Sequence, residues 1–293
     1  MMMRSKKIML MLTGVLAFDV LSACGTPKES AHTDGHGGMN HTEKNSETEG
    51  ASHDHAGPHA DSTASILKAS FSFASDVKAN ENSHLTIQIT DADGNPVNEF
   101  EMGHEKRMHL IVVSKDLSYF NHIHPDYKGD GKFAIETSFP VGGEYKILAD
   151  FVPKGGASTA LSEWVNVGGQ EKAQKPVHAD SNLVKEVDGK KIELSLSTKK
   201  ANNDVNLTFN IMDASTNEGI NNLEQYLGAV GHVVILSEDA EQYLHVHPTE
   251  EKAPGPKAEF MTSFPHSGIY KIWGQFQHDG EVFTVPFVVD VSE

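Results

Sequence analysis

Three histidines recur at one spacing in two places. His109, His122 and His124 are separated by 13 and 2 residues, and His232, His245 and His247 repeat those intervals. Each set ends in His-x-His-Pro, as His122-Ile123-His124-Pro125 and His245-Val246-His247-Pro248. Imidazole is the commonest metal-ligating side chain and carries a free lone pair near neutral pH. Three rings converging on one ion at about 2.0–2.1 Å per nitrogen leave a fourth position open, which suits Zn2+ or Cu2+. The Irving–Williams order favours Cu2+ at such a site, so copper is the preferred ion and zinc the second. Copper(I) would call for added thioether, which Met102 offers beside the first set only. Ligation needs unprotonated rings, so binding is expected to weaken as pH falls through roughly 6.

The two copies test each other. Residues 108–125 and 231–248 align without gaps over 18 positions; six are identical, and three of those six are the histidines. Most apolar neighbours have changed while the imidazoles have not, as expected of ligands rather than packing groups. The alternative stays open at this stage: histidines on a half-buried strand can be satisfied by backbone carbonyls or by each other. The proline has a plainer role, since it keeps the preceding residue extended and ends a strand.

The elements that must position these rings are strands. From Ile66 onward the chain is a series of short alternating runs, such as Leu85-Thr86-Ile87-Gln88-Ile89, with turn residues every 8–12 positions. The order recurs: Leu207-Thr208-Phe209-Asn210-Ile211 echoes Leu85–Ile89, and Phe264-Pro265 with Gly268-Ile269-Tyr270 echoes Phe139-Pro140 with Gly143-Glu144-Tyr145. A repeat this long is a whole domain rather than a solenoid unit. About seven strands are expected in each, lying in the first near residues 66–73, 84–91, 107–114, 119–124, 132–138, 144–151 and 161–167. This is an all-β chain with two tandem immunoglobulin-like antiparallel sandwiches at 66–168 and 188–293, joined by a linker at 169–187. Gly143-x-Tyr145 and Gly268-x-Tyr270 resemble the tyrosine corner of that fold.

A hairpin turning at Lys115-Asp116-Leu117-Ser118 puts His109 opposite His124, with His122 on the same face. A hairpin centred on Asp239-Ala240 does the same for His232 and His247, so one site is expected within each repeat. A three-residue loop would instead move the first histidine to the other face. Strand alternation brings the loops carrying Met102 and His104 near the first set, and His278 near the second, as additional candidate ligands. His266 falls in the opposite connection, and Met108 alternates away from His109 into the core.

The start of the chain points to export. Arg4, Lys6 and Lys7 precede a mostly apolar run from Ile8 to Val20, then Leu21-Ser22-Ala23-Cys24-Gly25. Residues 1–23 are expected to be a secretory signal. They resemble a bacterial lipoprotein signal, which implies that Cys24, the only cysteine, becomes the lipid anchor on the extracytoplasmic face of the cell membrane. An ordinary signal with a stray cysteine is the alternative. A single cysteine leaves no internal disulfide. No second apolar run approaches the length of a transmembrane helix. Residues 24–65 are polar and expected to be a disordered tether, with weak metal capture expected at the cluster His53, His55 and His59. A net charge of −17 excludes nucleic acid as a partner and favours cations.

The run Asn222-Leu223-Glu224-Gln225-Tyr226-Leu227-Gly228, followed by His232, His245-Val246-His247-Pro248 and Phe264-Pro265-x-x-Gly268-x-Tyr270, resembles the YtkA-like or FixH-like β-domains of bacterial secreted proteins and lipoproteins. That resemblance implies heavy-metal handling. Three functions compete. The first is an anchored, non-enzymatic lipoprotein that sequesters a metal ion or delivers it to a membrane metalloprotein or transporter. The second is a structural or interaction module at the cell surface, serving a membrane oxidase or an adhesion complex. A metal-dependent enzyme is the weakest, because no nucleophile motif or positioned general base accompanies the histidines.

Overall fold

The computed structural model describes residues 66–293. The expected signal, Cys24, the tether and its histidines His53, His55 and His59 lie outside the described residues.

The first repeat contains β1 (Lys68–Phe73), β2 (Asn82–Thr90), β3 (His109–Ser114), β4 (Phe120–Ile123), β5 (Asp126–Gly129), β6 (Lys132–Ser138), β7 (Gly143–Phe151) and β8 (Thr159–Val167). They form two antiparallel sheets, β1-β2-β6-β5 and β4-β3-β7-β8. The second repeat contains β9 (Val184–Val187), β10 (Lys190–Leu196), β11 (Asp204–Asp213), β12 (His232–Ser237), β13 (Tyr243–His245), β14 (His247–Pro248), β15 (Lys257–Ser263), β16 (Gly268–His278) and β17 (Glu281–Val291). Its sheets are β14-β15-β11-β10-β9 and β13-β12-β16-β17. The chain is therefore all-β, a tandem pair of immunoglobulin-like sandwiches, with no helix among the described residues. β9 occupies the last four residues of the stretch expected to be linker.

Alternation builds each core. In β2, Leu85, Ile87 and Ile89 are fully buried while their neighbours face outward; in β11, Val205, Leu207, Phe209 and Ile211 do the same. Tyr145 and Tyr270 close the two corners, donating from their hydroxyls to the carbonyls of Val141 at 2.9 Å and His266 at 3.0 Å. Met108 lies in the first core, as its alternation requires.

β3 and β12 do not alternate; every residue of both is buried. Their inward side chains, Leu110 and Val112 in one and Val233 and Ile235 in the other, belong to separate sandwich cores. Their outward side chains meet: Ile111, Val113, Leu117 and Leu148 pack against Val234, Leu236, Ala240 and Trp273. The inner sheets of the two repeats thus stack on each other, and the molecule has four layers. Phe120 lies flat on Trp273 with ring centroids 4.8 Å apart. Two equivalent lysines reach across the seam: Lys146 pairs with Glu241 at 2.7 Å, and Lys271 donates to the carbonyl of Leu117 at 2.7 Å.

Both hairpins at the seam share one turn. The Ser114 amide bonds the Tyr119 carbonyl, closing a four-residue loop, and the Ser237 amide bonds that of Gln242. Leu117 and Ala240 hold left-handed conformations at φ 55° and 58°. Asp116 accepts hydrogen bonds from the Ser114 hydroxyl and the Ser118 amide. Burial works to raise its pKa, but hydrogen bonds from Ser118 and Ser114 outweigh that and hold the carboxyl at about 2. Asp239 is held low by its bonds from Ser237 and Glu241.

The strand after each hairpin changes sheets. β4 pairs with β3, but its continuation β5 pairs with β6 in the outer sheet. β13 and β14 divide in the same way, so His247 lies opposite Met261 in the outer sheet.

A candidate metal centre at the seam between the repeats

The expected register holds where the strands pair. Leu110 opposes Ile123 and Ile111 opposes His122, while Val234 opposes His245. His109 and His122 accordingly share the face of the inner sheet that looks away from its own core. Because the equivalent face of the second repeat is pressed against it, the first histidine of that repeat, His232, joins them. His109, His122 and His232 are all buried, and one ligand nitrogen from each lies within 4.8 Å of the others. The rings of His109 and His232 stack with centroids 5.1 Å apart, and those of His122 and His232 are 4.7 Å apart. Two sites, one per repeat, were expected from the sequence; among the described side chains the stacked sheets gather His109, His122 and His232 from both repeats.

His124 and His104 complete the surroundings. The His124 ring lies 4.7 Å from that of His122 and 5.0 Å from that of His109. Its Nε2 is buried without a hydrogen-bond partner. His104 sits in a tight turn closed by mutual backbone bonds between Gly103 and Lys106, at a left-handed φ of 45°. Its ring is 5.2 Å from that of His232 and 6.2 Å from that of His109.

His247, His278 and Met102 sit apart from this group. His247 is exposed on β14, because the chain has crossed to the outer sheet before reaching it. For His245 the backbone position in β13 is described and the side chain is not. His278 is held by Asn222 at 3.2 Å and by Asp279 at 3.3 Å, at the hairpin between β16 and β17. Met102 points to solvent, 61% exposed.

Hydrogen bonds fix which nitrogens of the buried rings carry protons. His122 Nδ1 lies 2.7 Å from Gln275 Oε1, and His109 Nε2 lies 3.0 Å from the Gly103 carbonyl. Both oxygens accept, so both nitrogens must donate. A neutral His122 ring has one proton, which leaves its Nε2 as the acceptor facing His109 Nδ1. These two atoms face each other at 3.0 Å. A proton on His109 Nδ1 or a metal cation would each satisfy the His122 Nε2 lone pair. Burial, reinforced by charge on His109, pushes His122 down to about 4. Burial, followed by the effect of His122 and His109, pushes His124 down to about 3. His122 and His124 therefore stay neutral well below pH 7. Metal-bound histidines have the same outer arrangement, with the non-ligating N–H donated to a carbonyl or carboxylate. Nitrogens about 2.0–2.1 Å from a tetrahedral ion lie about 3.4 Å from one another, a separation that falls inside the 4.8 Å limit within which these three nitrogens lie.

Two residues at this site escaped the sequence reading. Asp150 and Gln275 occupy equivalent strand positions, opposite His109 and His232 respectively. The one visible signal was a lone polar residue in an apolar run, as in Ile147-Leu148-Ala149-Asp150-Phe151.

Two segments of the chain, residues 64–169 and 185–293, match the model of a family described as a domain of unknown function (DUF8832). That is the family shown, in place of the YtkA-like or FixH-like assignment expected from the second repeat. No curated protein matches the chain. Among solved structures, the adhesin FdeC of Escherichia coli aligns at 18% identity over 78% of this chain and 66% of its own, with a TM-score of 0.27. The bacterial integrin-binding protein invasin aligns at 11% identity over 77% of this chain and 40% of its own, with a TM-score of 0.22. A two-domain fibronectin type III segment of chicken tenascin aligns at 12% identity over 76% of this chain and 98% of its own, also at 0.22. The chain spans less than two thirds of the length of the adhesin and of invasin.

Proposed function

We propose that this chain, which belongs to the DUF8832 family of domains of unknown function and carries two copies of the domain, binds one transition-metal ion at the seam between them. His109, His122 and His232 are the ligands, and His124 and His104 are placed to supply further nitrogens. The observation that carries this reading is the convergence of buried imidazole nitrogens from His109, His122 and His232 within 4.8 Å of one another, beside His122, which burial holds neutral. An all-imidazole set suits Cu2+ first and Zn2+ second. The role is sequestration or delivery without catalysis. With lipid on Cys24 the protein would sit on the extracytoplasmic face of the cell membrane and pass its ion to a membrane metalloprotein or transporter. The tether histidines His53, His55 and His59 would gather ions loosely. The likeness of the second repeat to YtkA-like and FixH-like domains agrees with metal handling.

A different observation favours a second reading. The apolar seam already joins the repeats without an ion, and both outer sheets present polar faces, with Thr86 and Gln88 on one and Thr208 and Asn210 on the other. Such a body could serve as a non-catalytic interaction module at the cell surface, in an adhesion complex or beside a membrane oxidase. The likeness to adhesin and invasin structures is too weak, at TM-scores of 0.22–0.27, to weigh either way.

Metal titration separates the two. Metal-stripped full-length chain is titrated with Cu2+ and with Zn2+, and bound ions are counted beside His109→Ala and His232→Ala variants. Each replacement is expected to remove one and the same tight ion, whatever the tether binds. Unchanged stoichiometry in both variants would leave only the interaction module.

A further inference from the structure

The two repeats differ at one buried position beside the proposed ligands. Strand pairing puts Asp150 opposite His109 on β7 and β3, and Gln275 opposite His232 on β16 and β12. The side chains are buried alike, at 4% and 6% exposure. Gln275 is neutral and spends its Oε1 on His122 Nδ1, while its Nε2 donates to Thr284 Oγ1 at 3.1 Å. Asp150 brings a carboxylate. Its Oδ2 accepts from the Tyr243 hydroxyl of the other repeat at 2.6 Å, which anchors it at the seam. Its charge reaches the cluster, where it favours positive charge on His122.

This inference rests on the metal reading above. Three neutral imidazoles contribute no charge, so a dication placed among them keeps +2 and a monocation +1. Taking either out of water is unfavourable, and more so for the dication. A nearby carboxylate offsets that loss in proportion to the charge of the ion, so it helps a dication twice as much. We infer that Asp150 is the residue that makes this site prefer a divalent ion such as Cu2+ or Zn2+ over a monovalent one such as Cu+. Asp150 need not touch the ion; it acts through the field it sets and the rings it orients.

Asp150→Asn removes the charge and keeps an acceptor for Tyr243. Gln275→Glu adds a charge and keeps an acceptor for His122. Full-length wild type and both variants are titrated with Zn2+ and with Ag+, a redox-stable monovalent probe, against competing chelators. Asp150→Asn is expected to weaken Zn2+ binding about 10–100-fold, the usual effect of losing an outer partner, and Ag+ binding by much less. Gln275→Glu is expected to shift the Zn2+-to-Ag+ preference the opposite way, a gain that misfolding cannot imitate. If Asp150→Asn fails to fold, the direction of the Gln275→Glu shift decides alone. An unchanged preference in both variants, or equal losses for the two ions, overturns the inference while wild-type binding leaves the metal site standing. A wild-type chain that binds neither ion overturns both.

Discussion

His122 is held at both ring nitrogens, and that constraint explains its chemistry. The Gln275 amide holds one nitrogen in its protonated form, so the other is committed as a lone pair directed at His109. Removing that amide with Gln275→Ala frees the ring to rotate or change tautomer, and a 10–100-fold loss of Cu2+ or Zn2+ affinity is expected in chelator competition. Unchanged affinity would show that the tautomer is set by something else. His124 offers a test of opposite sign. Its buried Nε2 has no partner, and an unsatisfied polar atom of this kind costs about 1–3 kcal/mol. His124→Phe is therefore expected to leave the metal-free melting temperature level or higher while weakening metal binding. A lower melting temperature would mean that His124 is a packing group. The repeated histidines were visible in the sequence because their spacing is local. Asp150 and Gln275 were not, because what makes them matter is a neighbour on another strand or in the other repeat.

At the level of strands, the hairpin turns and the seam decide where the rings go. The register was readable from the centres of the two hairpins, at Lys115–Ser118 and at Asp239-Ala240, while the choice among loop lengths was not; the turns prove to have four residues. The exit of His247 into the outer sheet was not readable either, because His-x-His-Pro reads the same in both repeats while the crossing points differ slightly: His124-Pro125 lies between β4 and β5, and Val246 lies between β13 and β14. The burial of both faces of β3 and β12 did leave a trace. Leu110-Ile111-Val112-Val113 and Val233-Val234-Ile235-Leu236 are unbroken apolar runs, the pattern of a strand covered on two sides rather than one. Ile111→Ala, at a fully buried seam position, is expected to cost about 2–5 kcal/mol in denaturant unfolding. The turn carboxylates add a pH dependence. Asp116 is at about 2 in the fold and at its ordinary 3.8 when unfolded. Its contribution is present above 3.8 and is lost as pH falls toward 2. Acid melts should therefore show a loss in this window that Asp116→Asn reduces; an identical acid profile in the variant would contradict it.

For the whole molecule, the repeat means more than two copies of one domain. Taken separately, each sandwich would present an outward apolar face; stacked, they bury those faces and bring histidines from both into one group. A ligand bound only by the folded, stacked state stabilises it by mass action, by about 2.7 kcal/mol at a free concentration a hundred times Kd. Saturating Zn2+ is expected to raise the melting temperature of the full chain as a single transition, and His232→Ala is expected to abolish that rise although it alters only the second repeat. Persistence of the full shift in that variant would place the stabilising ion within the first repeat.

The most direct measurement is anomalous X-ray scattering from crystals of the chain loaded with Zn2+. One strong peak is expected at the seam, within about 2.0–2.1 Å of nitrogens from His109, His122 and His232 together. Two peaks, one inside each repeat, or ions on the exposed histidines alone, would contradict the account.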